Sequence, residues 1–166
     1  MITLEQARRV VQVYVEQREA AWFDRTVLDR GGYWFFRVGY VGSCGVIVDK
    51  ADGRLSVMGS ALSLDDCFWG HEHGFSPDLV RLRIKKVHDE GRTIEFLLYL
   101  VTAGPPRQPN PNPKRAWLAD RLRALPCEFG PERLWLSIPS FRESLNQGWF
   151  EFDVLEPCEQ VGHVRQ

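Results

Sequence analysis

The sequence predicts an α+β protein in which an antiparallel sheet carries an N-terminal helix packed across one face, with short additional helices elsewhere. Two observations support this fold class. The N-terminal helix has a single apolar face, which needs a sheet to cover it. Strand-like segments then cluster along the chain, which favours an antiparallel sheet over alternating β-α-β units. We expect residues 1–166 to form one domain, because that length is ordinary for a single domain.

The first helix is predicted to begin at Thr3. Thr3 and Gln6 have the spacing of a capping box, in which each side chain accepts a hydrogen bond from the backbone amide of the other residue. Apolar residues then recur at helical spacing, at Leu4, Ala7, Val10, Val11, Tyr14 and Val15. The opposite face is charged or polar. We therefore expect Val11 and Tyr14 to be covered by a sheet.

Strand-forming segments follow the helix, separated by glycine-containing turns such as Asp52-Gly53. In the first half of the chain, strands are predicted at 25–29, 33–38, 45–49 and 54–58. In the second half, strands are predicted at 79–84, 93–101, 134–138 and 149–155, with 93–101 as a buried central strand. Further helices are predicted at 64–69, 114–125 and 140–145. Trp34 lies in the most aromatic strand, and we expect it to be a core residue.

Composition and charge exclude several classes of partner. Charged residues make up 26% of the chain and the net charge is −1, so the protein has no overall positive field to hold nucleic acid or an anionic membrane. No apolar run approaches the length of a transmembrane helix, and the first residues do not resemble a signal peptide. We expect a cytoplasmic protein that binds neither nucleic acid nor membrane. No pattern indicates an oligomeric state.

The cysteines are widely spaced and form no Cys-x-x-Cys pair; they are Cys44, Cys67, Cys127 and Cys158. In a reducing compartment this spacing indicates free thiols, so no disulfide is predicted. Cys44 stands between Gly42 and Gly45, but the segment enters a strand instead of leaving one for a helix, which is the wrong context for a nucleophile elbow. We interpret it as a loop or bulge in which Cys44 packs.

The densest cluster of possible metal ligands is Cys67, His71 and His73, beside Asp65 and Asp66. A zinc site needs three or four converging ligands. His71 and His73 are too close in sequence for the i, i+4 spacing of a helical zinc site, and no second ligand pair lies at a zinc-site spacing. The sequence therefore predicts no metal, no cofactor and no catalytic residue.

One stretch of the chain carries a recognisable pattern. A helix from Thr3 is followed by Trp34 with aromatic neighbours on a strand, by Asp49-Lys50 with Gly53 in a turn, and by Gly59-Ser60-Ala61 at the end of the hairpin. Over roughly residues 3–75 this pattern resembles the immunity protein 35 (YrhB-like) family. Residues 76–166 form an extension that the resemblance does not cover.

The resemblance implies a small α+β protein encoded beside a bacterial polymorphic toxin, which it neutralises by binding. We therefore predict an immunity protein, not an enzyme, that blocks a cognate toxin or effector by steric occlusion. Two alternatives stay open. One is a small cytosolic enzyme that uses the region of Cys67, His71 and His73. The other is an adaptor domain of a secretion or phage-related system.

The predicted partner-binding segment combines acids with two large aromatic side chains; its residues are Asp65, Asp66, Phe68, Trp69, His71, Glu72 and His73. Trp with charged neighbours is typical of an interface hot spot, and acids would steer a basic toxin. A competing interpretation is that Phe68 and Trp69 plug one end of the sheet while the acids satisfy the helix N-terminus. The alternative surface is a basic strand, with Arg81, Arg83 and Lys85.

Overall fold

The computed structural model describes residues 1–18, 22–39, 42–108 and 112–156, with only the backbone described for 22–25. The chain divides into two compact units, Met1–Cys67 and Phe68–Gln166. Among the described residues each unit has its own antiparallel sheet, one of four strands and one of three. Together with the N-terminal helix and the shorter helices, these sheets confirm the predicted α+β class.

The first unit begins with helix α1, Leu4–Glu16. The predicted capping box is present: Thr3 Oγ1 accepts from the Gln6 amide at 3.2 Å, and Gln6 Oε1 accepts from the Thr3 amide at 2.7 Å. Val11 is completely buried, and Tyr14 is partly buried against the same core. The helix therefore covers its apolar face, as the spacing predicted.

Helix α1 packs on a four-stranded antiparallel meander. The strands lie in the order β1 Trp22–Asp29, β2 Tyr33–Gly39, β3 Ser43–Asp49 and β4 Leu55–Gly59. Side chains alternate across a strand, so Trp34 and Phe36 of β2 point to the same face and pair with Val48 and Val46 of β3. This face and α1 share one core, which confirms that the N-terminal helix lies across one face of the sheet.

Helix α2, Leu64–Glu72, begins in the first unit. The second unit contains β5 Val80–Val87, α3 Glu90–Leu100, α4 Pro113–Leu122, β6 Cys127–Glu132, a 3-10 turn at Trp135–Ser137, α5 Ile138–Asn146 and β7 Phe150–Leu155. Its sheet has the order β6-β5-β7, with both pairings antiparallel. Aromatic rings of α5 and β7 form much of its core; Phe141 lies 4.9 Å from Phe75 and 5.0 Å from Phe152 between ring centroids.

The strand predicted at 93–101 is wrong, because this segment forms helix α3. The Asp89 side chain accepts from the Arg92 amide at 2.9 Å and caps the helix, which begins at Glu90. The buried residues of α3 are Thr93, Ile94, Leu97 and Leu98, which is a helical period. A continuous apolar run does not distinguish a buried strand from a buried helix. Here the Asp89 cap favours the helix.

The strand predicted at 134–138 is also wrong, and strand β6 was missed. Residues 135–146 form the 3-10 turn and α5, with Pro139 in the first turn of the helix, a position that proline favours. The sequence signal of β6 is masked by Gly130 and Pro131, which are typical of a turn. They are tolerated because β6 is an edge strand. The helix predicted at 114–125 ends at Leu122.

None of the helices in the described ranges combines the length and apolar character that crossing a membrane requires.

Candidate functional site

The start of helix α2 is fixed by a reciprocal pair of hydrogen bonds. Ser63 Oγ accepts from the Asp66 amide at 3.1 Å, and the Ser63 hydroxyl donates to Asp66 Oδ2 at 2.6 Å. Asp65 and Asp66 both lie in the first turn, where the helix dipole stabilises negative charge. Asp66 therefore has a capping role, as the competing interpretation expected, while Asp65 is exposed.

The two aromatic residues of the predicted site differ in environment. Phe68 is 5% exposed and belongs to the core, so its ring is not available to a partner. Trp69 is partly exposed. Its ring stacks on the His73 imidazole with 3.9 Å between centroids, and His73 Nδ1 lies 2.7 Å from the Trp69 carbonyl oxygen. The stacking holds both rings in one orientation at the surface.

Three side chains of α2 that reach the surface share one side of the helix. Asp65, Trp69 and Glu72 are spaced i, i+4 and i+7, and His73 stacks on Trp69. Asp65, Glu72 and His73 are exposed and Trp69 is partly exposed, as is His71. We call Asp65, Trp69, Glu72 and His73 the α2 face; Phe68 packs in the core, Asp66 caps the helix, and His71 lies on another side of the helix.

The basic strand that the sequence offered as an alternative surface is paired with carboxylates. Arg81 and Arg83 both bind Glu128 of β6, at 2.8 and 2.6 Å, and Lys85 binds Asp153 of β7 at 2.8 Å. The hydrogen bond from Arg83 lowers the pKa of Glu128 below its ordinary value, and the charges of both arginines add to this. The stripe is therefore part of a mixed-charge surface. The sequence did not reveal this, because the acids come from distant strands.

The residues Cys67, His71 and His73 do not form a group of metal ligands within the described ranges. Cys67 is completely buried, and its Sγ lies 3.8 Å from the Gly59 carbonyl oxygen. The His73 ring stacks on Trp69, and its Nδ1 lies at hydrogen-bond distance from the Trp69 carbonyl oxygen. Within the described ranges no three His, Cys, Asp or Glu side chains converge in a way that could hold a metal ion.

Cys44 lies in a β-bulge, as its flanking glycines predicted. Ser43 pairs with Gly59 and Gly45 pairs with Met58, so Cys44 is the extra residue of β3. Gly45 has φ +152°, and a Cβ there would lie 2.4 Å from the Phe35 ring. The position accepts only glycine without rearrangement. The bulge turns the Cys44 thiol towards β4, where it donates to the Met58 carbonyl oxygen at 3.4 Å.

A pair of thiols is the feature of this region that sequence reasoning missed. The Cys67 thiol hydrogen-bonds to Cys44, which lowers the pKa of Cys44 to about 7 against the opposing effect of burial. The same contact, together with burial, raises the pKa of Cys67. The two cysteines lie 23 positions apart in the sequence, and only the bulge and the first turn of α2 bring them together.

The second unit has a groove of about 360 Å³ between α4 and β6, lined by Trp117, Asp120, Arg121, Ala124, Pro126, Cys127 and Glu128. Arg121 lies in the last turn of α4. Its guanidinium donates to the Glu128 carbonyl oxygen at 2.7 Å and lies 5.7 Å from the Trp117 ring. These contacts hold the Arg121 side chain along the groove.

The residues that carry the family resemblance are used in folding. Lys50 Nζ binds Asp29 at 2.6 Å and lies 4.8 Å from the centre of the Trp34 ring. The Lys50 carbonyl oxygen accepts from the Ile2 amide at 2.8 Å, which ties the chain before α1 to the hairpin turn. Trp34 is 7% exposed and lies in the core shared with α1. Lys50 and Trp34 of this pattern thus make contacts within the first unit's fold.

Comparison of the chain with protein-family models, with curated proteins and with solved structures gives no match.

Proposed function

We propose that this protein is an immunity protein that binds a cognate bacterial toxin in the cytoplasm and blocks it by steric occlusion. The resemblance of residues 3–75 to a toxin-immunity family supplies the class of partner. The observation that carries the proposal on the molecule is the α2 face, where two carboxylates flank the stacked Trp69 and His73 rings. No nucleic acid, membrane or cofactor has a part in it.

The composition of the α2 face suits protein recognition. A partly exposed Trp buries a large area at low entropic cost, and Trp is among the residues most enriched in hot spots. Here the stacking on His73 already restricts the Trp69 ring, so less freedom is lost on binding. Asp65 and Glu72 provide a charged rim, which favours a basic partner and raises the association rate.

Buried packing contacts hold the helix that presents this face in position. Phe68 is buried, and Gly70 is packed so closely that a Cβ would lie 2.3 Å from Ile138 Cδ1. Ile138 is itself completely buried. A rigid support of this kind reduces the ordering that binding would otherwise require.

The test is co-expression with the toxin domain encoded by the gene directly upstream. We expect the two proteins to co-elute in size-exclusion chromatography, and cells that express the toxin to grow only when this chain is present in at least equimolar amount. An equimolar amount is required because, in steric occlusion, each toxin molecule must be bound by one molecule of this protein. Protection at a small fraction of the toxin concentration would favour an enzyme, and binding without protection would favour an adaptor domain. Absence of both complex and protection contradicts the proposal.

A further inference from the structure

The thiols of Cys44 and Cys67 meet at one backbone carbonyl group. Cys44 Sγ lies 3.7 Å and Cys67 Sγ 3.8 Å from the Gly59 carbonyl oxygen, at the end of β4. Cys67 also lowers the pKa of the Cys44 thiol, so the two side chains interact. A disulfide requires the two sulfurs to approach to about 2.05 Å. Because both sulfurs lie beside the same carbonyl oxygen, a change in the side-chain torsions of the two cysteines can bring them together.

The two cysteines differ in access and in protonation. Cys44 is partly exposed in the bulge, whereas Cys67 is completely buried. The hydrogen bond from Cys67 lowers the pKa of Cys44 to about 7, which favours the thiolate, and the thiolate is the reactive form. Cys67 retains its proton, because that hydrogen bond and burial raise its pKa. An accessible thiolate beside a second, protected thiol is the arrangement found in peroxide-sensing pairs.

We propose that Cys44 and Cys67 form a reversible redox pair, reduced under ordinary cytoplasmic conditions, that a hydroperoxide closes to an intramolecular disulfide. This inference does not depend on the proposed function. Disulfides in cytosolic proteins are usually transient and redox-sensing, which agrees with free thiols in the resting protein. The bond would join the bulge of β3 to the first turn of α2.

The chemistry balances in two steps. The Cys44 thiolate attacks one oxygen of hydrogen peroxide and the O–O bond breaks; the departing hydroxide takes a proton from solvent and leaves as water, and Cys44 becomes a sulfenic acid. The Cys67 sulfur then attacks the Cys44 sulfur and the S–O bond breaks. The second hydroxide takes the Cys67 proton and leaves as water. Two thiols lose two electrons in total, and one peroxide gains them.

The test treats the reduced full-length chain with hydrogen peroxide at pH 7, traps free thiols by alkylation, and maps peptides by mass spectrometry. We expect a Cys44–Cys67 disulfide that forms at least about 10-fold faster than Cys127 oxidises, since Cys127 is buried and burial raises its pKa. The oxidised protein should unfold about 5–10 °C higher, because the bond closes the 44–67 loop, and dithiothreitol should reverse the shift.

Two variants separate the roles of the cysteines. In Cys67→Ser, the sulfenic acid at Cys44 should accumulate and react with dimedone, with no intramolecular disulfide. In Cys44→Ser, the buried Cys67 should stay reduced. The wild-type measurement stands alone if either variant fails to fold. Oxidation of Cys44 no faster than that of Cys127, or a disulfide from Cys44 or Cys67 to Cys158, would overturn the proposal.

Discussion

Replacement of Trp34 by alanine tests whether the residue at the centre of the family-like pattern is structural. Trp34 is 7% exposed, and its ring contacts the core of α1 and the sheet. The substitution removes about 150 Å² of buried apolar surface, which at about 25 cal/mol per Å² corresponds to about 4 kcal/mol. Loss of the ring under Lys50 adds a smaller term. We expect the free energy of unfolding to fall by about 3–5 kcal/mol.

The measurement is urea and thermal unfolding followed by circular dichroism, which does not depend on the fluorescence of the deleted indole. Because the chain has two compact units, hydrogen exchange of the amides in α1 and β2 assigns the loss to the first unit. Trp34→Phe, which keeps an aromatic ring, should lose much less. Leu136→Ala, at a residue 69% exposed, should change stability by less than about 0.5 kcal/mol. Unchanged unfolding of Trp34→Ala, with toxin binding lost, would show that Trp34 is an interface residue instead.

The remaining predictions concern the bulge and the mixed-charge strand. Gly45→Ala should destabilise the protein by about 2–4 kcal/mol, since a Cβ meets the Phe35 ring at 2.4 Å. Gly32→Ala is the control, because the space around Gly32 is open. Equal unfolding temperatures for the two variants would contradict the bulge geometry. Arg83 lowers the pKa of Glu128 in the folded protein. The ion pair therefore stabilises the fold above the pKa of about 4.3 that Glu128 has in the unfolded chain. This stabilisation is lost as the pH falls through the lower pKa of the folded state. Glu128→Gln should therefore flatten the acid side of the stability profile, and an unchanged profile would argue against the pairing.

The first unit could be predicted because its signals are local. The capping box at Thr3, the spacing of Val11 and Tyr14, and the turn at Gly53 each specify a structure within a few residues, and each is present. The second unit resisted prediction where local signals conflict. The run 93–101 suits a buried strand and a buried helix equally well, and the Asp89 side chain decides for the helix.

The candidate site was predictable in composition but not in exposure. The sequence places Asp65 on a short helix at 64–69 and Glu72 after it; the helix in fact continues to Glu72, and both acids are exposed. It cannot distinguish Phe68, which is buried, from Trp69, which is partly exposed, because their environments depend on tertiary packing. The contact of Cys44 with Cys67 has the same origin, since a bulge and a helix end from different parts of the chain create it.

The association rate of the upstream toxin domain with a charge-reversed α2 face tests whether this face binds the toxin. The variant is Asp65→Lys with Glu72→Lys, which leaves Asp66 in place because it bonds to Ser63. The matched control is Glu5→Lys with Glu16→Lys, at the second and last positions of α1, as Asp65 and Glu72 are in α2.

Both variants have the same net charge, so any difference between them reports position. At low salt we predict association at least about 10-fold slower for the α2 variant than for the α1 control, with the gap narrowing as salt is raised. Thermal unfolding of both should remain close to that of the unmodified protein. Equal association rates for the two variants, with toxin protection retained by both, would contradict the claim that the α2 face binds the toxin.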